Sequence, residues 1–397
     1  MDEQIWKIIE ADNYWAGAPA AGLRRDITEG ILEYMGRPEA IYLYGPRRAG
    51  KTTVCLQLIE KLSKKHGKAA CIYVNFEEPA YSRMLNTEFL SWIIEKHSSV
   101  CKGKLRFVFF DEIQNVDGWE KFVRMAVDRK DLKIILTGSS AKLLSSEFAS
   151  SLGGRGLGFR VLPFSFREFL RARKRGGLKD FLEIGGYPEV VLEKSAEKRR
   201  KLLLEYFETA IIRDIASRYQ VRDVPTLRNL AIYVITNSGK NFSYNKIRAM
   251  TGLSFDTIKL YLSYIEEALL AFQVPFFSYS LKKALEKPRK YYAYDTGLQA
   301  AISKSFSPDY GRRAENAVAI ELIRRNKEVQ YYSEKTEVDF VIKEGMDVSA
   351  MNVTFSGDAA GREEKGLGEF SRDFKIKKSV LLMGEEQIAR WLLDNLE

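Results

Sequence analysis

Histidine and cysteine are scarce in this chain of 397 residues, which holds two of the first and three of the second. His66 and His97 are too few for a histidine-based metal centre or for triad chemistry. Cys55, Cys71 and Cys101 are odd in number, lack CxxC spacing and all fall in the first third, so a disulfide framework and a zinc ribbon are both excluded. No apolar run approaches the ~18–20 residues of a membrane span. The opening MDEQIWKIIEADNYW carries acids where a secretory signal needs bases. These absences lead us to expect a soluble, cytoplasmic protein with no membrane partner. What is present is core-forming material, 45% apolar and 12% aromatic, and this rules out a disordered or collagen-like chain. Lys plus Arg number 63 against 53 acids, a net charge of +10 that suits an anionic partner without forming a basic tail. The length suggests two or three domains at ~150 residues each.

Short apolar runs punctuate the first third: AIYLYG (39–45), CIYVNF (71–76), RFVFFDE (106–112) and KIILTGSS (133–140), separated by helical lengths. Runs this apolar mark strands buried on both faces, hence an α/β fold with a parallel sheet. GFRVLP adds a strand ending at Pro163. Charged amphipathic helices follow around Gly185-Gly186-Tyr187-Pro188, then a helical block with a late strand pair, then a small α/β domain. The expected divisions are 1–163, 164–225, 226–304 and 305–397.

The sharpest signal is Gly45-Pro46-Arg47-Arg48-Ala49-Gly50-Lys51-Thr52, a GxxxxGK[ST] run between a predicted strand and the helix that opens Thr52-Thr53. Glycines let backbone N–H groups curl round phosphates, and the helix N-terminus adds donors and partial positive charge. Lys51 would reach the β/γ-phosphates of ATP, and Thr52 would bind Mg²⁺. Sixty residues on from Lys51, the strand 107–110 ends in Asp111-Glu112. Asp111 suits the Mg²⁺ shell opposite Thr52, and Glu112 suits polarising water for in-line displacement. KIILTGSS places Thr137, Ser139 and Ser140 at a neighbouring strand tip, where one hydroxyl is expected near the γ-phosphate; Thr137 and Ser139 are the candidates.

These motifs, in this order, resemble the AAA+-type archaeal and bacterial ATPases that carry a C-terminal domain of unknown function. The resemblance extends through Gly154-Arg155, LPFSFREFL, GGYPEVV (185–191), Arg213-Asp214-Ile215, KYYAYDTGL (290–298), GRRAENAVAIEL and TEVDFV. It implies a P-loop core with a helical lid and an ATP site completed by arginines at a subunit or domain interface. Arg155 and Arg213 are the candidates, with a homo-oligomer or a protein partner implied. An arginine finger contributes ~10³–10⁵ in rate.

Within 227–275, Ser243 and Ser254 suit N-caps and Thr251-Gly252 a tight turn, a spacing that resembles a winged helix-turn-helix. Its second helix would present Ser254, Asp256, Thr257 and Lys259. VPFFSYS and KYYAYD would form the wing, with Lys282, Lys283, Lys287, Arg289 and Lys290 at its tip for duplex DNA phosphates. Asp256 opposes DNA, so an interaction module fits equally. Glu315 and Asp339 resemble the PD-(D/E)XK nuclease arrangement, but Asn352 replaces its second acid and Thr354 its lysine. A nuclease-like scaffold that cuts nothing is expected. Two functions stay open: a Mg²⁺-dependent ATPase coupled to DNA or protein binding, and a regulatory ATP switch with little turnover.

Overall fold

Period-two alternation decides how the first strands are buried. In β3 (Phe107–Asp111), Val108 and Phe110 turn to one layer while Phe107 and Phe109 turn to the other, and all are buried. One layer packs Ile72, Val74, Ile134 and Leu136 against Phe89, Ile93, Phe122 and Val123 of two helices, Thr87–Val100 and Trp119–Arg129. The other packs Ile41, Leu43, Tyr73 and Ile135 against Val54, Leu58 and Leu62 of the helix Lys51–His66. The result is a sheet covered by helices on both sides, as the sequence suggested. This computed structural model describes residues 3–15, 17, 21–138, 152–303, 309–356 and 360–394.

The chain divides into two compact units, Met1–Val161 and Leu162–Glu397. In the first, β1 (Ala40–Tyr44), β2 (Cys71–Asn75), β3, β4 (Lys133–Gly138) and β5 (Gly156–Arg160) form a parallel sheet in the order β2-β3-β4-β1-β5. β4 therefore lies between β1 and β3. The registers Tyr44↔Gly138 and Phe110↔Leu136 bring the C-terminal ends of all three strands to one edge, where ligands of open α/β sheets bind.

The second unit opens with the helix Phe166–Ala172, capped by Ser165 and Glu168 in a reciprocal pair of hydrogen bonds. The GGYPEVV turn docks on YAYDTGL. Gly186 N–H donates to Asp295 at 2.7 Å, and a Cβ on Gly297 would lie 2.1 Å from the Ile184 carbonyl oxygen, so only glycine fits there. Burial pushes the Asp295 carboxyl up to about 6 even though it accepts from backbone N–H groups.

Three helices follow, Val224–Thr236, Tyr244–Thr251 and Phe255–Glu267, and then the antiparallel pair β6 (Ala271–Val274) and β7 (Lys290–Ala293). Ser243 and Ser254 cap their helices, and Gly252 ends the first of those two in a left-handed turn, all as expected. VPFFSYS departs from expectation, because the hairpin strand is AFQV and ends at Val274. Pro275 has no N–H to continue the ladder. Beyond it the chain crosses to β8 (Glu328–Ser333), where Phe276 pairs with Tyr331 and Phe277 packs against Phe370 and Phe374. A helix, Leu281–Glu286, takes the place of an open wing tip. β8, β9 (Glu337–Glu344), β10 (Asp347–Thr354) and β11 (Lys378–Met383) form the last sheet, in the order β11-β10-β9-β8, with β10 and β11 parallel and the rest antiparallel. Among the described residues no helix is long and apolar enough to cross a membrane.

Candidate nucleotide site

The loop from Gly45 to Gly50 leaves β1 and enters the helix Lys51–His66. A Cβ on Gly45 would lie 1.9 Å from the Val161 carbonyl oxygen, so the close approach of β5's end demands glycine. Arg48 (φ 63°) and Gly50 (φ 94°) adopt left-handed backbone and turn the loop back on itself. The turn places Lys51, Thr52 and Thr53 in the first helical turn, whose N–H groups have no acceptor within the helix. The buried Lys51 ammonium donates to the carbonyls of Gly45 (3.1 Å) and Pro46 (3.2 Å), which holds it under the loop.

Asp111 closes β3 and is 2% exposed. Its Oδ2 accepts from the Thr52 hydroxyl and from the Tyr73 phenol, each at 2.7 Å, and its Oδ1 accepts from the Thr137 hydroxyl. Burial first, and then Asp111, raises the Tyr73 phenol far above its ordinary range, so it stays a donor. The Thr137 hydroxyl also accepts from the Glu112 N–H at 3.2 Å, which fixes the strand ends against one another. Thr52, Asp111 and Thr137 thus come together as the sequence suggested. Ser139 and Ser140 lie outside the described residues.

Glu112 stands in left-handed backbone (φ 54°), an arrangement that costs on the order of 1 kcal/mol or more in a non-glycine residue. The turn redirects its side chain from the strand, and its carboxylate accepts from Gln114 Nε2 at 2.5 Å. Arg47 reaches Glu77 at 3.4 Å across a half-exposed surface, a pair of little energetic weight.

Four residues that the sequence reading missed complete this surround: Tyr73, Gln114, Arg25 and Gln57. Arg25 is 1% exposed and donates to the Ala49 carbonyl at 2.6 Å. Gln57 accepts from the Arg25 N–H and the Thr28 hydroxyl and donates to the carbonyls of Ala21 and Leu23, fastening segment 21–28 to the phosphate-loop helix.

Arg155 does not join this cluster. Arg155 precedes β5, and its carbonyl accepts from Ala40 N–H at the start of β1, so it stands at the opposite edge of the sheet from the loop after Tyr44. Its exposed guanidinium pairs with Asp128 at 2.7 Å. Arg213 is exposed in the second unit, on a π-helical stretch, Ala210–Ser217, that continues the helix Ala196–Thr209.

The expected wing cations are also corrected. Lys283 and Lys287 both pair with Glu334, at 2.7 and 2.8 Å, and hold its carboxyl down to about 2. Arg289 donates to Gln273, and Lys290 is buried. Lys282 of the expected set is exposed.

A parallel sheet of this order, with a loop of this kind after β1 and an acid at the end of β3, is that of a P-loop NTPase fold. Residues 37–170 match the AAA domain family, and residues 175–309 and 310–394 match two domains of unknown function, DUF8612 and DUF4143. The uncharacterized protein MJ1544 of Methanocaldococcus jannaschii is 32% identical over 432 aligned positions, spanning 100% of this chain and 93% of its own length. The chain belongs to the same family as that protein. An uncharacterized protein of Haemophilus influenzae is 28% identical over 91% of this chain and 93% of its own length. Among solved structures, the Walker-type ATPase PABY2304 of Pyrococcus abyssi aligns with 70% of this chain and 95% of its own, at 16% identity and a TM-score of 0.46.

Proposed function

We propose that the chain is a Mg²⁺-dependent ATPase whose nucleotide state governs a partner-binding second unit. The observation that carries this reading is the convergence of Thr52, Tyr73 and Thr137 hydroxyls on the buried Asp111 beneath the phosphate loop. Backbone N–H groups of Gly45–Thr53 and the Lys51 ammonium suit the phosphates. Thr52 and Asp111 form a hard oxygen pair suited to Mg²⁺. Bound Mg²⁺ supplies charge neutralisation at the phosphates. Glu112 orients and polarises the attacking water.

The Gln114–Glu112 hydrogen bond favours the second reading, a slow switch, because it occupies the carboxylate that water needs. We therefore place the resting protein in a low-turnover state. Gln114→Ala is expected to raise basal ATP hydrolysis by roughly 10- to 100-fold, the worth of one charge-assisted hydrogen bond. A steady-state phosphate-release assay decides this, and a rate at or below that of wild type removes the restraining role.

Arg155 lies at the far edge of its own sheet, so a part in ATP hydrolysis requires a second copy of the chain, and a homo-oligomer assembled with ATP is part of the proposal. The three-helix block with its β6–β7 pair reads as a winged helix, and its partner as a protein. Met250 (66%), Phe255 (39%) and Leu260 (48%) are exposed on it, while Lys283 and Lys287, two of the lysines expected to meet DNA, pair with Glu334. Duplex DNA should bind weakly, and changing Lys282, Lys283 and Lys287 to Ala together should leave the salt slope unaltered, although each true phosphate contact removed lowers it by about 0.9. A slope that falls by about 2 or more in the triple variant would restore the DNA reading. The C-terminal sheet is proposed as a nuclease-like scaffold that cuts nothing, and the protein as cytoplasmic.

A further inference from the structure

The acids of the C-terminal scaffold surround a lysine from outside it. Glu315 comes from the helix Tyr310–Arg324, and Glu337 and Asp339 come from one face of β9. Lys290, the first residue of β7, sends its side chain among them. Its Nζ lies 3.0 Å from Glu337, 3.8 Å from Glu315 and 3.9 Å from Asp339, and the side chain is 2% exposed. Burial alone would lower this ammonium's pKa, but Glu315, Asp339 and Glu337 outweigh that and hold it protonated.

The surround is built around this arrangement. Glu315 also accepts from the Tyr292 phenol at 2.7 Å, and a Cβ on Gly239 would lie 2.8 Å from its Oε1. Asp339 accepts from Val353 N–H at 2.9 Å. The two positions that depart from the nuclease pattern are occupied elsewhere. Asn352 accepts from Asp339 N–H (3.0 Å) and donates to Glu363 (2.7 Å), while the Thr354 hydroxyl donates to the Ser356 carbonyl (2.8 Å). Lys343, the other lysine near these acids in sequence, is exposed. As they stand, no three or more His, Cys, Asp or Glu side chains among the described residues form a metal-holding group.

We propose that Lys290 is the resident cation of this acid cluster: its ammonium takes the place of a divalent metal, bars metal-dependent phosphodiester chemistry there, and fastens β7 to the C-terminal sheet. The proposal rests on reading the C-terminal domain as a non-cutting scaffold. The Phe276 and Phe277 crossing to β8 secures the other strand of the same hairpin, so the hairpin is held at both strands. An ammonium and a divalent ion compete for the same oxygens, so removing the first should admit the second.

The experiment is a Mn²⁺ titration of the full chain without nucleotide, read by electron paramagnetic resonance, on wild type, Lys290→Met and Lys290→Met/Asp339→Asn. Lys290→Met should bind one Mn²⁺ more than wild type, and the added Asp339→Asn should remove it. A folded Lys290→Met protein with no extra ion overturns the proposal. If Lys290→Met folds only when Mn²⁺ is supplied, the proposal stands; if millimolar Mn²⁺ does not rescue an unfolded variant, it falls. Wild type that binds Mn²⁺ through Asp339 yet leaves DNA intact overturns the Lys290 assignment alone. Metal-dependent cleavage of DNA by wild type that needs Asp339 overturns the scaffold reading as well.

Discussion

Glu112→Gln should bind ATP as tightly as wild type and hydrolyse it roughly 10²–10⁴ times more slowly, the usual worth of a positioned general base. The substitution keeps the size of the side chain, and the amide can still meet Gln114. The backbone that positions it is set by β3 and by the Glu112 N–H bond to Thr137, neither of which depends on the carboxylate. Binding and chemistry therefore separate in this variant. Filter retention of labelled ATP measures the first, and product analysis of the retained nucleotide measures the second. ADP accumulating at the wild-type rate would show that Glu112 takes no part in hydrolysis.

Lys51→Ala should lose nucleotide binding outright, by roughly 100-fold or more in Kd. The lost contact is a charge-assisted one to phosphate, and each 1.4 kcal/mol is tenfold in affinity. The fold should survive. The helix behind Lys51 is held by Val54, Leu58 and Leu62 in the core. Equilibrium titration with a fluorescent ATP analogue, beside a thermal melt, distinguishes a dead site from a damaged fold. An unchanged Kd would remove Lys51 from the phosphate site.

The phosphate loop, β3 and the Asp111–Thr137 neighbourhood were legible because local pattern dictates them. Strands buried on both faces announce themselves by unbroken apolar runs, and the loop glycines answer to steric demands of their own turn. Tyr73 was hidden for the same reason: within CIYVNF it reads as one more core residue, and only the register of β2 on β3, with Asn75 beside Asp111, brings its hydroxyl to the carboxylate. Arg25 and Lys290 sit in charged stretches that look solvated, RRD and KALEKPRK. Their burial depends on partners far away in sequence: Ala49 for one, and Glu315, Glu337 and Asp339 for the other. The wing was misread because VPFFSYS is rich in strand-forming residues, yet Pro275 interrupts the ladder and the phenylalanines find a larger apolar surface on the C-terminal sheet. Motifs such as GGYPEVV and YAYDTGL were visible separately. That they are one contact, closed by Asp295 on Gly186 N–H, was not.

Hydrolysis at the Lys51, Thr52, Asp111 and Glu112 site is measured by phosphate release from saturating Mg²⁺-ATP by purified wild type, run beside Glu112→Gln prepared identically. Wild type should release phosphate slowly and steadily, the release being abolished by removing Mg²⁺ and reduced to background in the variant. Equal release from both proteins, or ATP bound by wild type with no phosphate released at all, would contradict hydrolysis at this site.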